Sequence, residues 1–191
     1  MTPSPGHFTG PLLALAGPPL VSAGWDTQVP ALLAVGSLQR LVLLERGQVA
    51  SSWPLSSAVR GFGCLEGSGM TPTGMHRIAQ CIGDHQPPGM RFVSRQATGE
   101  IVAADPGDGR DYITSRILWL QGLEPGHNLG PGRDSFQRYI YIHGTPHRSD
   151  LGRAASAGCL RLADEDIIDL FPRVNIGTLV LIVSDLQPST A

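Results

Sequence analysis

A chain of 191 residues with a formal net charge of −2 and no run of like charges offers no basic face to a phosphate backbone, which argues against a nucleic-acid footprint. Its 41% apolar content suffices for one domain with a sizeable core, yet no stretch approaches the roughly 20 apolar residues of a membrane helix. Charged residues are only 16% while Gly (24) and Pro (16) abound, a balance that favours short strands and turns over long helices.

Residues 1–37 read as a partly irregular N-terminal extension, 38–185 as the folded domain and 186–191 as a tail. Within the extension, Pro11–Gly24 has the apolar and small residues of a weak secretion signal. No Lys or Arg precedes Arg40, however, and prolines interrupt the run. Arg40–Arg46 predicts a core strand, which Gly47-Gln48 turns into Val49–Trp53 as a hairpin. Ser56–Ile78 holds five glycines and predicts irregular backbone; it contains no GxxxxGK[ST] pattern, and Thr71–Gly74 is a turn by its chemistry. Gly83–Gly109 is polar and turn-rich, with a short strand at Met90–Ser94. Ile113–Leu120 is a further apolar strand. Gly122–Gln137 is a long connection of the kind that forms lids or binding loops, and His127 within it reads as a surface residue.

Tyr139–His143 shows the clearest alternation in the chain. A period of two puts Ile140 and Ile142 toward the core, and Tyr139, Tyr141 and His143 on the other face. Asp164–Phe171 predicts a short helix with Asp164 as N-cap and Ile167, Leu170 and Phe171 buried. Thr178–Val183 predicts a last core strand. Many strands, one short helix and no βαβ alternation define a mainly β sandwich or barrel. Cys64 and Cys81 read as two small buried residues, with pairing in an oxidising compartment as the alternative. No cysteine sits in a CxxC arrangement that would suggest structural zinc.

The chemistry concentrates in Arg138–Leu162. His143 ends a strand, and sixteen positions later the chain returns through Ser156-Ala157-Gly158-Cys159. A free thiol is only a few per cent thiolate at neutral pH, so a cysteine nucleophile needs an imidazole beside it. The Gly144 turn supplies a backbone carbonyl to orient that imidazole. Gly158 permits a tight turn in which the N–H groups of Ala157, Gly158 and Cys159 aim at a developing oxyanion. His147 is the rival base. A metal site of His143, His147 and Cys159 is disfavoured, because Gly144 and Pro146 oppose the helix that would align the histidines.

The string His143-Gly144-Thr145 followed by Ser156-Ala157-Gly158-Cys159-Leu160-Arg161 resembles the L,D-transpeptidase catalytic domain (YkuD family). Thr71-Pro-Thr-Gly74, Arg116–Leu120 and Gly177–Ile182 are similar to it in the same order, so the resemblance spans about Leu38 to Val183. It implies a YkuD-like β-sandwich or barrel without cofactor or metal, acting on peptidoglycan stem peptides in the periplasm or cell envelope. In the family the cysteine attacks the carbonyl of the L-centre of diaminopimelate, expels D-alanine, and a second stem's amine resolves the thioester. Carried over, Cys159 is the nucleophile, His143 the base and Gly144 its orienter. Tyr141 and Trp119 line the groove or serve core or surface packing alone, the latter favoured for Trp119; Ser156 supports the turn, and Arg161 binds a substrate carboxylate or bridges to Asp164 or Asp166. Carbapenem β-lactams are then expected to acylate Cys159. Many members carry His where this chain has Ala157. Two other readings stay open: water as acceptor, giving a carboxypeptidase or amidase, and a non-catalytic wall-binding module.

Overall fold

The computed structural model of the protein describes residues 9–186. Among these are ten strands: β1 (Ala31–Val35), β2 (Arg40–Glu45), β3 (Gln48–Pro54), β4 (Gly74–Ile82), β5 (Met90–Val93), β6 (Gln96–Ile101), β7 (Ile113–Gly122), β8 (Tyr141–Thr145), β9 (Leu160–Ala163) and β10 (Leu179–Val183). Helices α1 (Thr9–Ser22) and α2 (Asp164–Leu170) pack on them. The fold is mainly β, as composition and alternation indicate.

The strands form one sheet in the order β3-β2-β1-β10-β4-β7-β5-β6. Strand β7 is its junction. β4 and β5 take one edge of β7, and β8 takes the other. β8 then carries β9 parallel to it, and Arg161 of β9 bridges to Ser56, just beyond β3. The sheet thereby curls back toward its own first edge. Its concave side holds the main core, in which Leu32, Leu41, Leu43, Ile78, Leu118, Leu120, Ile140 and Ile142 meet Ile167 and Leu170 of α2. Alternation sends the other residues of β1 and β2 outward: Ala31, Leu33, Val35, Val42 and Leu44 pack under Leu12, Ala16 and Leu20 of α1.

Two expectations need correction. The segment before residue 38 is irregular only in part: turns at 23–30 separate α1, which runs through Pro18 and Pro19, from β1, which joins the sheet. Each proline removes one helical hydrogen bond, and burial of Leu12, Ala16 and Leu20 against the sheet offsets that loss. Residues 1–8 and 187–191 of the expected extension and tail lie outside the described residues. The second correction concerns Asp164, which is not the N-cap of α2. Ala163 holds that position, and the Asp164 carboxylate instead accepts hydrogen bonds from the hydroxyls of Thr114 and Ser115, each at 2.6 Å.

The hairpin of β2 and β3 forms as expected, with Arg46 and Gly47 both left-handed, the twist a two-residue connection needs. The stretch expected to be irregular through Ile78 becomes strand β4 from Gly74 onward. Beneath its start His76 is fully buried. Its Nδ1–H donates to the Gly74 carbonyl (3.0 Å), and the Ser135 hydroxyl donates to Nε2 (2.9 Å), which ties the long Gly122–Gln137 connection to the sheet. No helix among the described residues is long and apolar enough to cross a membrane.

Burial lowers the His76 pKa from 6.5 to about 4, so the folded imidazole stays neutral where the unfolded one protonates. Its contribution to stability is present above pH 6.5 and is lost as pH falls through about 4. A shift of this size corresponds to about 3 kcal/mol. Denaturant titrations between pH 7 and pH 4 are expected to show this decline, and His76→Gln is expected to flatten part of it.

Candidate active site

Strands β8 and β9 run parallel with His143 opposite Arg161. Side chains two apart share a face of a strand. Tyr141 and His143 therefore look the same way as Arg161 and as Cys159, which stands one position before β9. The fold thus converts a separation of sixteen positions into a lateral step between neighbouring strands.

The imidazole is buried, and its Nδ1–H donates to the Gly144 carbonyl at 2.8 Å. That bond leaves Nε2 without a proton and free to accept one. Gly144 cannot be another residue here. A Cβ would come within 2.5 Å of the Thr114 carbonyl and 2.6 Å of the Asp164 carboxylate. The glycine thus lets β7, β8 and α2 close on one another and fixes the carbonyl that orients His143.

Cys159 is half-buried against Trp119, Tyr141, Phe92 and Ile117. Its sulfur accepts the Tyr141 N–H and donates to the Tyr139 carbonyl, both at 3.4 Å. Burial pushes the thiol up to about 11; the Tyr141 N–H and the guanidinium groups of Arg161 and Arg138 oppose this. Burial likewise lowers the His143 pKa, against the pull of the Gly144 carbonyl. Both groups are therefore neutral at rest, and the thiol proton points to a backbone carbonyl instead of the imidazole.

The Ser156 hydroxyl donates to the Cys159 carbonyl (2.6 Å) and accepts the Gly158 N–H (3.2 Å), which builds the turn that presents the thiol. Gly158 has φ +141°. Its N–H is thus engaged inside the turn. The N–H groups of Ala157 and Cys159 remain the two candidates for an oxyanion among the three the sequence suggests.

The side chains expected to touch substrate divide in two. Tyr141 and Trp119 wall the thiol: their rings meet edge-on at 5.5 Å, Phe136 stacks on Trp119 at 4.0 Å, and Arg95 covers Trp119 at 4.9 Å. Ser156 and Arg161 are buried and committed internally. Arg161 pairs with Asp111 (2.6 Å) and Asp150 (3.6 Å), not with Asp164 or Asp166, and its Nε finds no partner. The rival base His147 lies half-exposed on another loop, where its Nε2–H donates to the Arg110 carbonyl at 2.6 Å.

Sequence reasoning missed three contributors. Asp111 lies fifty positions from Arg161, and nothing in its local sequence marks it. Asp150 sits in the polar loop after His147 with no local signal that ties it to Arg161. Arg138, which opens the diagnostic stretch, spans the Gly63 and Met70 carbonyls and puts its charge near Cys159. Among the described residues no group of three His, Cys, Asp or Glu side chains could hold a metal ion.

The model of one protein family, the L,D-transpeptidase catalytic domain (YkuD), matches residues 31–182. Two Bacillus subtilis (strain 168) proteins whose names class them as L,D-transpeptidases are similar to parts of the chain. YkuD is 36% identical over 87 residues, 45% of this chain and 49% of that protein. YqjB is 32% identical over 72 residues, 35% of this chain and 41% of that protein. The matched segments thus span less than half of either relative. The solved structure of the Ldtfm–avibactam carbamoyl enzyme superimposes with a TM-score of 0.51 at 13% identity, over 84% of this chain and 50% of the other, a likeness of fold alone.

A thiol titrating near 11 gains thiolate about tenfold per pH unit below that value. Iodoacetamide alkylation of Cys159, followed by peptide mass spectrometry, is expected to accelerate about tenfold per unit from pH 7 to pH 10. A plateau near neutrality would show a resting thiolate instead.

Proposed function

The chain belongs to the L,D-transpeptidase catalytic domain family, and we propose that it performs cysteine acyl transfer on peptidoglycan stem peptides with Cys159 as nucleophile and His143 as base. The observation that carries this reading is the Nδ1–H bond from His143 to the Gly144 carbonyl, on the same sheet face as Cys159. It holds the imidazole in the tautomer whose Nε2 accepts a proton.

The order of events follows from two neutral groups at rest. Cys159 gives its proton to His143 Nε2 as its sulfur adds to the carbonyl of the L-centre of a donor stem's diaminopimelate. The developing oxyanion takes the N–H groups of Ala157 and Cys159. The imidazolium returns the proton to the departing D-alanine nitrogen as the C–N bond breaks. An amine of a second stem then adds to the thioester and gives a proton to His143 Nε2, the C–S bond breaks as the amide forms, and the imidazolium returns that proton to the departing Cys159 thiolate. The product is a cross-link, between two diaminopimelates or between L-alanine and diaminopimelate. Arg161 and Arg138 favour the transient thiolate by their charge, while Tyr141 and Trp119 wall the groove. The substrate class puts the protein's work in the cell envelope, and carbapenems are expected to trap Cys159 as acyl adducts.

Incubation of peptidoglycan fragments with wild type and Cys159→Ala, followed by digestion and mass spectrometry, tests the reading. Dimers from wild type alone are expected, with carbapenem adducts confined to Cys159. His143→Ala is expected to lower the rate by about 10²–10⁴-fold, the range a positioned base supplies. Trimmed monomers without dimers would make water the acceptor. Identical profiles from wild type and Cys159→Ala would remove the proposed activity.

A further inference from the structure

The chain holds a second thiol–imidazole pair, which the acyl-transfer reading does not use. Cys64 Sγ lies 3.6 Å from His127 Nε2, although 63 residues separate them in sequence. The same nitrogen stands 3.1 Å from the Thr73 hydroxyl and 4.0 Å from Glu124 Oε2. Glu124 is itself fixed, since its Oε2 accepts the Met75 N–H and the Asn128 amide, each at 3.2 Å. Two loops therefore bring a thiol, a hydroxyl and a carboxylate to one ring nitrogen. The pair is open to solvent: the His127 side chain is 50% exposed. Thr73, Glu124 and His127 also line a cavity of about 570 Å³ that runs to Leu15 and the end of β10.

Acyl transfer at a thiol requires N–H donors aimed at an oxyanion, which the Cys159 turn offers. Thiol–disulfide exchange needs none: it requires a thiolate, a place for the proton and open approach to sulfur. We propose that Cys64, with His127 as its base, is a site of mixed-disulfide formation with a low-molecular-weight disulfide. The Cys64 proton passes to His127 Nε2 and the sulfur attacks one sulfur of the disulfide. A Cys64–S–S–R bond forms while the R–S–S–R bond breaks. The departing half leaves as a thiolate and takes the proton from the imidazolium. Cys64 is oxidised and the released thiol is reduced. The Arg138 guanidinium, whose charge reaches Cys64 as well as Cys159, favours an anionic disulfide partner. Burial holds the other two thiols up, Cys159 to about 11 and Cys81 on β4 in the same direction, which directs exchange to Cys64.

A free thiol is already a few per cent thiolate at neutral pH, so the base contributes a modest factor, about tenfold once the lower nucleophilicity of an acidified thiol is counted. The experiment is a time course with oxidised glutathione at neutral pH, read by intact and peptide mass spectrometry. Wild type and Cys159→Ala are expected to gain one glutathione on Cys64 at the same rate, reversed by dithiothreitol. Cys64→Ser is expected to gain none there. His127→Ala is expected to be slowed about tenfold. So is His127→Gln, which keeps a hydrogen-bonding partner for Thr73 should the alanine loosen the loop. An unchanged Cys64 rate in both His127 variants, or modification of Cys81 or Cys159 as fast as Cys64, would overturn the proposal.

Discussion

The close approach at Gly144 is the constraint on which the site depends. Strand β7 and the first turn of α2 come so near this residue that a β-carbon would meet a backbone carbonyl on one side and a carboxylate on the other. The same Asp164 carboxylate gathers the hydroxyls of Thr114 and Ser115, so β7 and α2 are held by charge-assisted hydrogen bonds at the point where β8 passes between them. With β8 held on both sides, the Gly144 carbonyl has one direction, and the imidazole hydrogen-bonded to it has one tautomer. Register then does the rest. Cys159 precedes β9 by one position, and β9 is locked to β8 in parallel, so thiol and imidazole share a face without a local motif that would force them together.

Burial and charge oppose each other around that pair, and burial prevails in the resting state. Burial raises the thiol, which packs against the cluster of Trp119, Tyr141, Phe92 and Ile117, and lowers the imidazole, the direction that keeps both neutral. Two guanidinium groups work the other way on the thiol, but Arg161 is partly neutralised by Asp111 and Asp150. A neutral pair stores no ion-pair energy in the ground state. On the proposed acyl-transfer reading, stabilisation of the thiolate is realised only as a substrate carbonyl takes up its charge, where it lowers a barrier instead of deepening a well.

The sequence discloses this arrangement unevenly. Alternation at Tyr139–His143 places Ile140 and Ile142 in the core, and they are there, because a strand buried on one face has a single workable register. The hairpin of β2 and β3 and the last strand are equally plain. Strands β1, β4 and β9 escape notice for a common reason. Each is short or begins at glycine, and each is held by pairing that its local sequence does not announce: β10 as well as β2 for β1, β7 and β10 for β4, and β8 across an intervening loop for β9. Helix α1 escapes because its prolines are read locally, whereas its stability comes from the sheet beneath it. The Ser156–Arg161 string gives the turn and the thiol, while the partners of Arg161 are invisible. Asp111 sits in a polar loop whose composition resembles that of any other.

The two thiol–imidazole pairs show why residue types alone cannot assign a reaction. Cys159 and His143 are brought to one face by a strand ladder, half-buried thiol and buried imidazole, with a turn that Ser156 braces from within. Cys64 and His127 meet across two loops at the surface, with a hydroxyl and a fixed carboxylate on the imidazole and open space beyond. The first environment penalises charge at rest and offers donors to an oxyanion, which suits addition to a carbonyl. The second leaves charge solvated and the sulfur open to approach, which suits attack on a disulfide by whatever thiolate is present. The same two functional groups thus divide by their surroundings. Arg138, whose charge reaches both sulfurs, makes the division one of burial and backbone geometry more than of local charge.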